Sequence, residues 1–119
     1  MTLCDAAALE DIVQYCERIR NYLNRCGDSR DAFARDTMVQ DACCMCVVQI
    51  GELIGLLSED TRSAIPEIPW RLIKETRNFY VHNYGNLNKT LTWNTLTSSI
   101  PDLCKACKEA LEEEKNHSI

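Results

Sequence analysis

No run in this chain approaches the roughly 20 uninterrupted apolar residues that a membrane-spanning helix needs. No segment alternates apolar and polar residues as a half-buried strand does, and no internal repeat is visible. The first residues, Met1-Thr2-Leu3-Cys4-Asp5, show no basic region followed by an apolar one, so no signal peptide is expected. These absences argue against a membrane protein, a sheet and a repeat array. The expectation is one cytoplasmic domain over residues 1–119, with no membrane partner.

A basic excess is missing as well. Thirteen Lys and Arg stand against 18 Asp and Glu, a net charge of −5, which weighs mildly against nucleic-acid binding. The distribution changes that reading. Arg71, Lys74, Arg77 and Lys89 face only Glu75 within residues 71–89, so a local net of +3 sits on a remainder of −8. A basic patch on an acidic body can still meet RNA.

What the chain does have is 45% hydrophobic residues, enough for a real core, and eight cysteines. The cysteines fall inside amphipathic patterns rather than in Gly/Pro-rich loops, so they read as small buried hydrophobes. Cys43/Cys46 and Cys104/Cys107 have the CxxC spacing of zinc ligands. Both pairs lie in helical patterns rather than tight knuckles, so a zinc-stabilised scaffold stands as a lesser alternative, and no metal or cofactor is assigned.

Leu9, Ile12, Val13, Cys16, Ile19, Leu23 and Cys26 recur at i, i+3, i+4, i+7 and predict a helix over about residues 4–26, ended by Gly27. Asp28-Ser29 caps a short helical turn carrying Phe33. A wide stripe of Met38, Val39, Ala42, Cys43, Cys46, Val47, Ile50, Leu53, Ile54 and Leu57 predicts a second long helix over about 37–57. Its Gly51 and Gly55, four apart, permit a close helix approach.

Pro66 and Pro69 mark a break before a third helix over about 70–82, which ends at Asn83 and Gly85. Residues 86–90 read as a polar link. A last helix covers about 90–114, kinked or divided by Pro101. The fold class is all-α, an up-down bundle of four to five helices.

Chemically useful groups gather in one place, Arg77-Asn78-Phe79-Tyr80-Val81-His82-Asn83-Tyr84-Gly85, which contains Arg-x4-His-x-Tyr. Helical spacing sets Arg77 and His82 about 140° apart. Either the helix unwinds before His82, or the working site joins two copies of the chain. Such groups suit RNA cleavage through its own 2′-hydroxyl. Histidine near a helix C-terminus serves as acid or base, while arginine offers a planar fork to the phosphate. No metal is required, and no Asp/Glu cluster adjoins the motif. Read on its own, the pair fits a structural helix cap better than a catalytic site.

The motif resembles the Arg-x4-His-x-Tyr signature of HepT-type toxins of the HEPN superfamily. The likeness extends to Ile50-Gly51-Glu52-Leu53, to Pro66-Glu67-Ile68-Pro69-Trp70, to Thr92-Trp93 and to Ile100-Pro101-Asp102-Leu103, and so covers about residues 36–111. Asn83 stands where many relatives have glycine, and Gly85-Asn86 follow the motif in place of an aromatic residue.

The resemblance implies an HEPN-like helical bundle that forms a two-fold dimer and joins two Arg/His motifs in a cleft. It implies a metal-independent endoribonuclease, the toxin of a type VII HEPN/MNT toxin–antitoxin system, with transfer RNA or messenger RNA as substrate. Its antitoxin is an MntA-type minimal nucleotidyltransferase that transfers AMP to the motif tyrosine. By position, Arg77 and His82 become the catalytic pair and Tyr84 the AMP acceptor, with Asn78 and Glu52 as supporting residues. The competing reading is a non-catalytic nucleotide- or substrate-binding module serving a partner nucleotidyltransferase.

Overall fold

The fold follows from which helix faces are apolar and how each helix is stopped. It is described from a computed structural model, which covers residues 1–68, 70, 73, 74, 77 and 88–117. Six α-helices can be delimited: α1 (Leu3–Arg25), α2 (Arg30–Arg35), α3 (Thr37–Leu56), α4 (Glu59–Ala64), α5 (Lys89–Asn94) and α6 (Ile100–His117). A further helical segment carries Trp70, Ile73, Lys74 and Arg77. There is no strand among the described residues.

Helix α1 is the central element and packs on both α3 and α6. Its apolar stripe of Leu9, Ile12, Cys16, Ile19 and Leu23 is buried. Each such Leu or Ile side chain contributes roughly 1.5–3 kcal/mol on leaving water. The helix stops as its sequence suggests. Gly27, with φ of 67°, and Asp28 send their N–H groups back to the carbonyls of Asn24 and Leu23, which satisfies the last turn.

Short helix α2 inserts Phe33 fully into the core, beside Trp93 of α5 at a ring separation of 5.4 Å. The buried Gln40 of α3 donates to the Phe33 carbonyl at 2.8 Å, and Lys89 donates to that of Ala34 at 2.9 Å, so α3 and α5 share α2 as a wedge. Helix α3 buries Cys43, Cys46, Val47, Ile50 and Ile54. Met38 departs from the expected stripe and is 84% exposed.

Two further departures from the sequence reading concern breaks in the chain. Helix α4 lies where no helix is expected. Ser58 caps it by accepting from the Thr61 N–H at 3.3 Å, and Glu59 and Asp60 complement its dipole. The last helix begins one residue before the expected link ends, with Asn88 as its cap. Helical backbone runs on through Pro101, which does not end it. Residues Thr95–Ser99 form a π-helical turn in which the Ile100 N–H reaches back five residues to the Thr95 carbonyl. The widened turn makes room for a ring that would collide with the carbonyl four residues before it and has no N–H to give.

The first turn of the chain is tied to residues far along it. Asp5 is buried and accepts from the Thr2 N–H (3.2 Å), the Ser58 N–H (2.8 Å) and the hydroxyls of Ser58 and Thr61 (2.7 Å each). The Ser58 N–H, with the other donors behind it, holds the carboxyl well below the usual carboxylate range despite burial. Asp5→Asn turns an amide toward these donors, so a loss of about 3 kcal/mol is expected in urea unfolding at pH 7. A group with a depressed pKa gives its full stabilisation above its unfolded value, 3.8 here. That stabilisation is lost as pH falls below it. The gap between wild type and Asp5→Asn should therefore narrow below about pH 4. An unchanged urea midpoint at pH 7 would refute the clamp.

Five of the eight cysteines lie in the core. All eight are free, and Cys16, Cys43, Cys44, Cys46 and Cys107 are buried. Among the described residues no three His, Cys, Asp or Glu side chains converge on a position that could hold a metal. Burial pushes Cys43 and Cys107 up to about 12 and Cys44 to about 11. Since the thiolate is the reacting form, iodoacetamide at neutral pH should label exposed Cys4 and leave these three unmodified until the chain unfolds. Peptide mass spectrometry showing Cys43 alkylated as fast as Cys4 would contradict that order.

Candidate active site

The segment that delivers the motif is fixed before it begins. Pro66 follows α4, and the Ile68 and Trp70 N–H groups turn back to the carbonyls of Ile65 (3.3 Å) and Ile68 (2.9 Å). The Trp70 indole N–H donates to two carbonyls at the end of α4, those of Arg62 (3.0 Å) and Ile65 (3.2 Å). Each carbonyl already takes one backbone N–H, from Ile65 and Ile68 respectively, and the indole adds a second bond, so one side chain both closes α4 and anchors the next helical segment. Buried Ile65, Ile68 and Ile73 complete the anchor.

Trp70, Ile73, Lys74 and Arg77 follow i, i+3, i+4, i+7 spacing and lie on one helical face. That face meets α3 at its two glycines. A Cβ added at Gly51 would stand 2.6 Å from the Arg77 Cβ and closer still to its Cγ, and one added at Gly55 would stand 3.8 Å from the Lys74 Nζ. The glycine pair therefore permits a close approach, and the element approaching is the motif helix.

Arg77 lies with its aliphatic stem over Gly51 and its guanidinium paired with the Glu52 carboxylate. The two side chains are 26% and 53% exposed. A pair this open adds at most about 1 kcal/mol of stability. Its consequence is direction: the planar guanidinium is held toward Glu52 instead of being left to swing.

Of the residues singled out in the sequence, Arg77 and Glu52 come together. Asn78, His82 and Tyr84 lie outside the described residues, as does the expected helix end at Asn83 and Gly85. The sequence reading missed Trp70 as a helix cap and Lys74 as the neighbour of Gly55. Trp70 stood in the Pro66–Trp70 segment and Lys74 in the basic patch, but only the Gly51/Gly55 spacing pointed to a close approach.

Helix α3 also leaves apolar surface uncovered. Its mean hydropathy reaches 1.4, a value that would suit a membrane span by length and composition, yet only half of that stretch is buried. Met38, Met45 and Leu56 stand 84%, 58% and 71% exposed along it, with Glu52 between them.

Residues 12–110 match the family model of the HepT-like ribonucleases. The chain belongs to that family. A candidate RNase of Caldanaerobacter subterraneus subsp. tengcongensis is 32% identical over 107 residues, covering 90% of this chain and 94% of that protein. A candidate RNase of Methanocaldococcus jannaschii is 26% identical over the same length, 90% and 87% of the two chains. A ribonuclease HepT assigned in Thermococcus cleftensis is 30% identical over 96 residues, 80% of this chain and 84% of its own. No solved structure gives a significant match.

The HepT-like stretch runs from within α1 into α6. It therefore takes in the Gly51 and Gly55 seam, the Trp70 anchor and the whole Arg77-to-Tyr84 motif. The all-helical fold agrees with membership of the HEPN superfamily.

Proposed function

We propose that this HepT-like chain is a metal-independent endoribonuclease, the toxin of a type VII toxin–antitoxin system. The observation that carries the reading is Arg77, fixed along its stem by Gly51 and aimed by Glu52. In the proposed reaction His82 takes the proton of a ribose 2′-hydroxyl, and the 2′-oxygen attacks the adjacent phosphorus. The bond from phosphorus to the 5′-oxygen breaks as that oxygen gains a proton. Arg77 stabilises the charge that builds on the phosphoryl oxygens.

One imidazole cannot be base and acid at the same instant. Two copies of His82 in a two-fold dimer supply both. The uncovered row of Met38, Met45 and Leu56 supports such an assembly, since it offers a second copy an apolar face beside Glu52. In this reading the dimer works in the cytoplasm on transfer RNA or messenger RNA.

Tyr84 is proposed as the site of control. An MntA-type nucleotidyltransferase attaches AMP there, and the added phosphate places negative charge against Arg77 and obstructs RNA.

The test is to incubate the purified chain with single-stranded RNA in a chelator. Cleavage into fragments with a 2′,3′-cyclic phosphate on one side and a 5′-hydroxyl on the other is the expected result. Intact RNA accompanied by tight nucleotide binding would instead favour the non-catalytic module.

A further inference from the structure

A groove of about 410 Å³ runs between the end of α3, α4 and the motif segment, lined by Ile54, Glu59, Arg62, Ser63, Trp70 and Lys74. We infer that it is a binding subsite for single-stranded RNA flanking the cleaved position, with Lys74 and Arg62 taking consecutive phosphates and Trp70 supporting a base. The inference rests on the ribonuclease reading above and adds to it where the substrate lies.

The placement follows from the seam between helices. Arg77 lies over Gly51 and Lys74 beside Gly55, so the two cations sit one step apart along the same helical ridge. Cβ atoms one such step apart are about 5–6 Å from each other, and the flexible Lys74 stem lets its ammonium reach the phosphate next to the one at Arg77. A strand held at Arg77 therefore meets Lys74 next and enters the groove beyond it.

The groove carries the groups that such a strand needs. Arg62 and Lys74 outnumber the single carboxylate of Glu59, and neither cation has an ion-pair partner among the described residues. The Arg62 Nε–H is closed off from water and meets no acceptor among the described residues, so recognition of a phosphate in the groove falls to the outer N–H groups of the guanidinium. The Trp70 ring is already immobilised by its two bonds to α4 carbonyls. A fixed, half-buried indole on a groove wall is a platform on which a base of any identity can stack. Ser63 adds a hydroxyl at the rim.

The alternative occupant, an acidic peptide, would use the same cations but gain little from an indole platform, and the experiment separates the two. Full-length protein is assayed on a long single-stranded RNA and on a dinucleotide that spans only the cleaved bond. Lys74→Gln with Arg62→Gln should raise KM on the long RNA about tenfold, leave kcat unchanged and leave dinucleotide cleavage unchanged. The slope of log affinity against log salt, measured in the His82→Ala background with the same labelled RNA, should fall by about 1.4 for two phosphate contacts. Unchanged KM and salt slope, with wild-type cleavage intact, would overturn the subsite and leave the ribonuclease reading standing. No RNA cleavage by the wild type would remove the reading itself and the subsite with it. If the double variant loses its thermal midpoint, the exposed single change Lys74→Gln decides, with half the slope change expected.

Discussion

Arg77→Ala is expected to lower RNA cleavage by about 10²–10³-fold while the helical circular dichroism stays that of wild type. The loss should fall on kcat. A guanidinium that meets charge developing on phosphorus acts more strongly in the transition state than on bound substrate. Arg77→Lys should recover little, because an ammonium cannot hold Glu52 with one edge and a phosphate with another. His82→Ala should match the Arg77→Ala loss, as expected of two groups in one reacting unit. Combining the two changes should cost much less than the product of the single effects. Quenched-flow cleavage of a labelled RNA measures all four proteins. Activity of Arg77→Ala within about threefold of wild type would sink the assignment of Arg77 to the reacting phosphate.

The second large effect is expected from the smallest side-chain change in the molecule, Gly51→Ala. In an isolated helix this substitution stabilises by about 1 kcal/mol, since alanine is the better helix former. Here the new methyl group meets the Arg77 stem at Cβ and Cγ, atoms next to the backbone that cannot swing away as the end of a flexible side chain does. The motif helix must move out. Overpacking of this kind costs about 1–3 kcal/mol, and a displacement near 1 Å at a reacting group can lower the rate about 10²-fold.

The decisive measurement is a double-mutant cycle. In the Arg77→Gly background the clashing Cβ and Cγ are both gone, so Gly51→Ala should stabilise the fold by up to about 1 kcal/mol where alone it destabilises. The sign should reverse. A Gly51→Ala effect of the same sign and size in both backgrounds would show that the seam is looser than the structure places it.

The long helices were legible because their burial is periodic. Leu9 through Leu23 and Cys43 through Ile54 repeat every three or four residues, and those positions are the buried ones. Helix α4 was not legible, because six mostly polar residues are too short to show a period, and its stability comes from Ser58 and from Asp5 far away in the chain. Met38 misled because an apolar residue on an exposed face has the same identity as one in the core. Pro101 marked a disturbance, and only the backbone shows that a widened turn absorbs it.

At the site, the motif identified Arg77 and the glycine spacing identified a close contact. The sequence could not join the two observations, since Gly51 and Arg77 meet only through tertiary packing. The same holds for Glu52, which the resemblance offers only as a supporting residue and the fold shows as the partner of Arg77.

The indole bridge from Trp70 to α4 has an optical consequence. The chain contains two tryptophans, and the other, Trp93, packs at a tilt against Phe33 in a separate part of the bundle. With Trp93→Phe, the remaining emission comes from a ring whose N–H is engaged only while the motif segment is docked on α4. Its wavelength and lifetime thus follow the seating of the working helix apart from the melting of the body. Undocking that precedes global unfolding can be watched in the native protein with no attached dye.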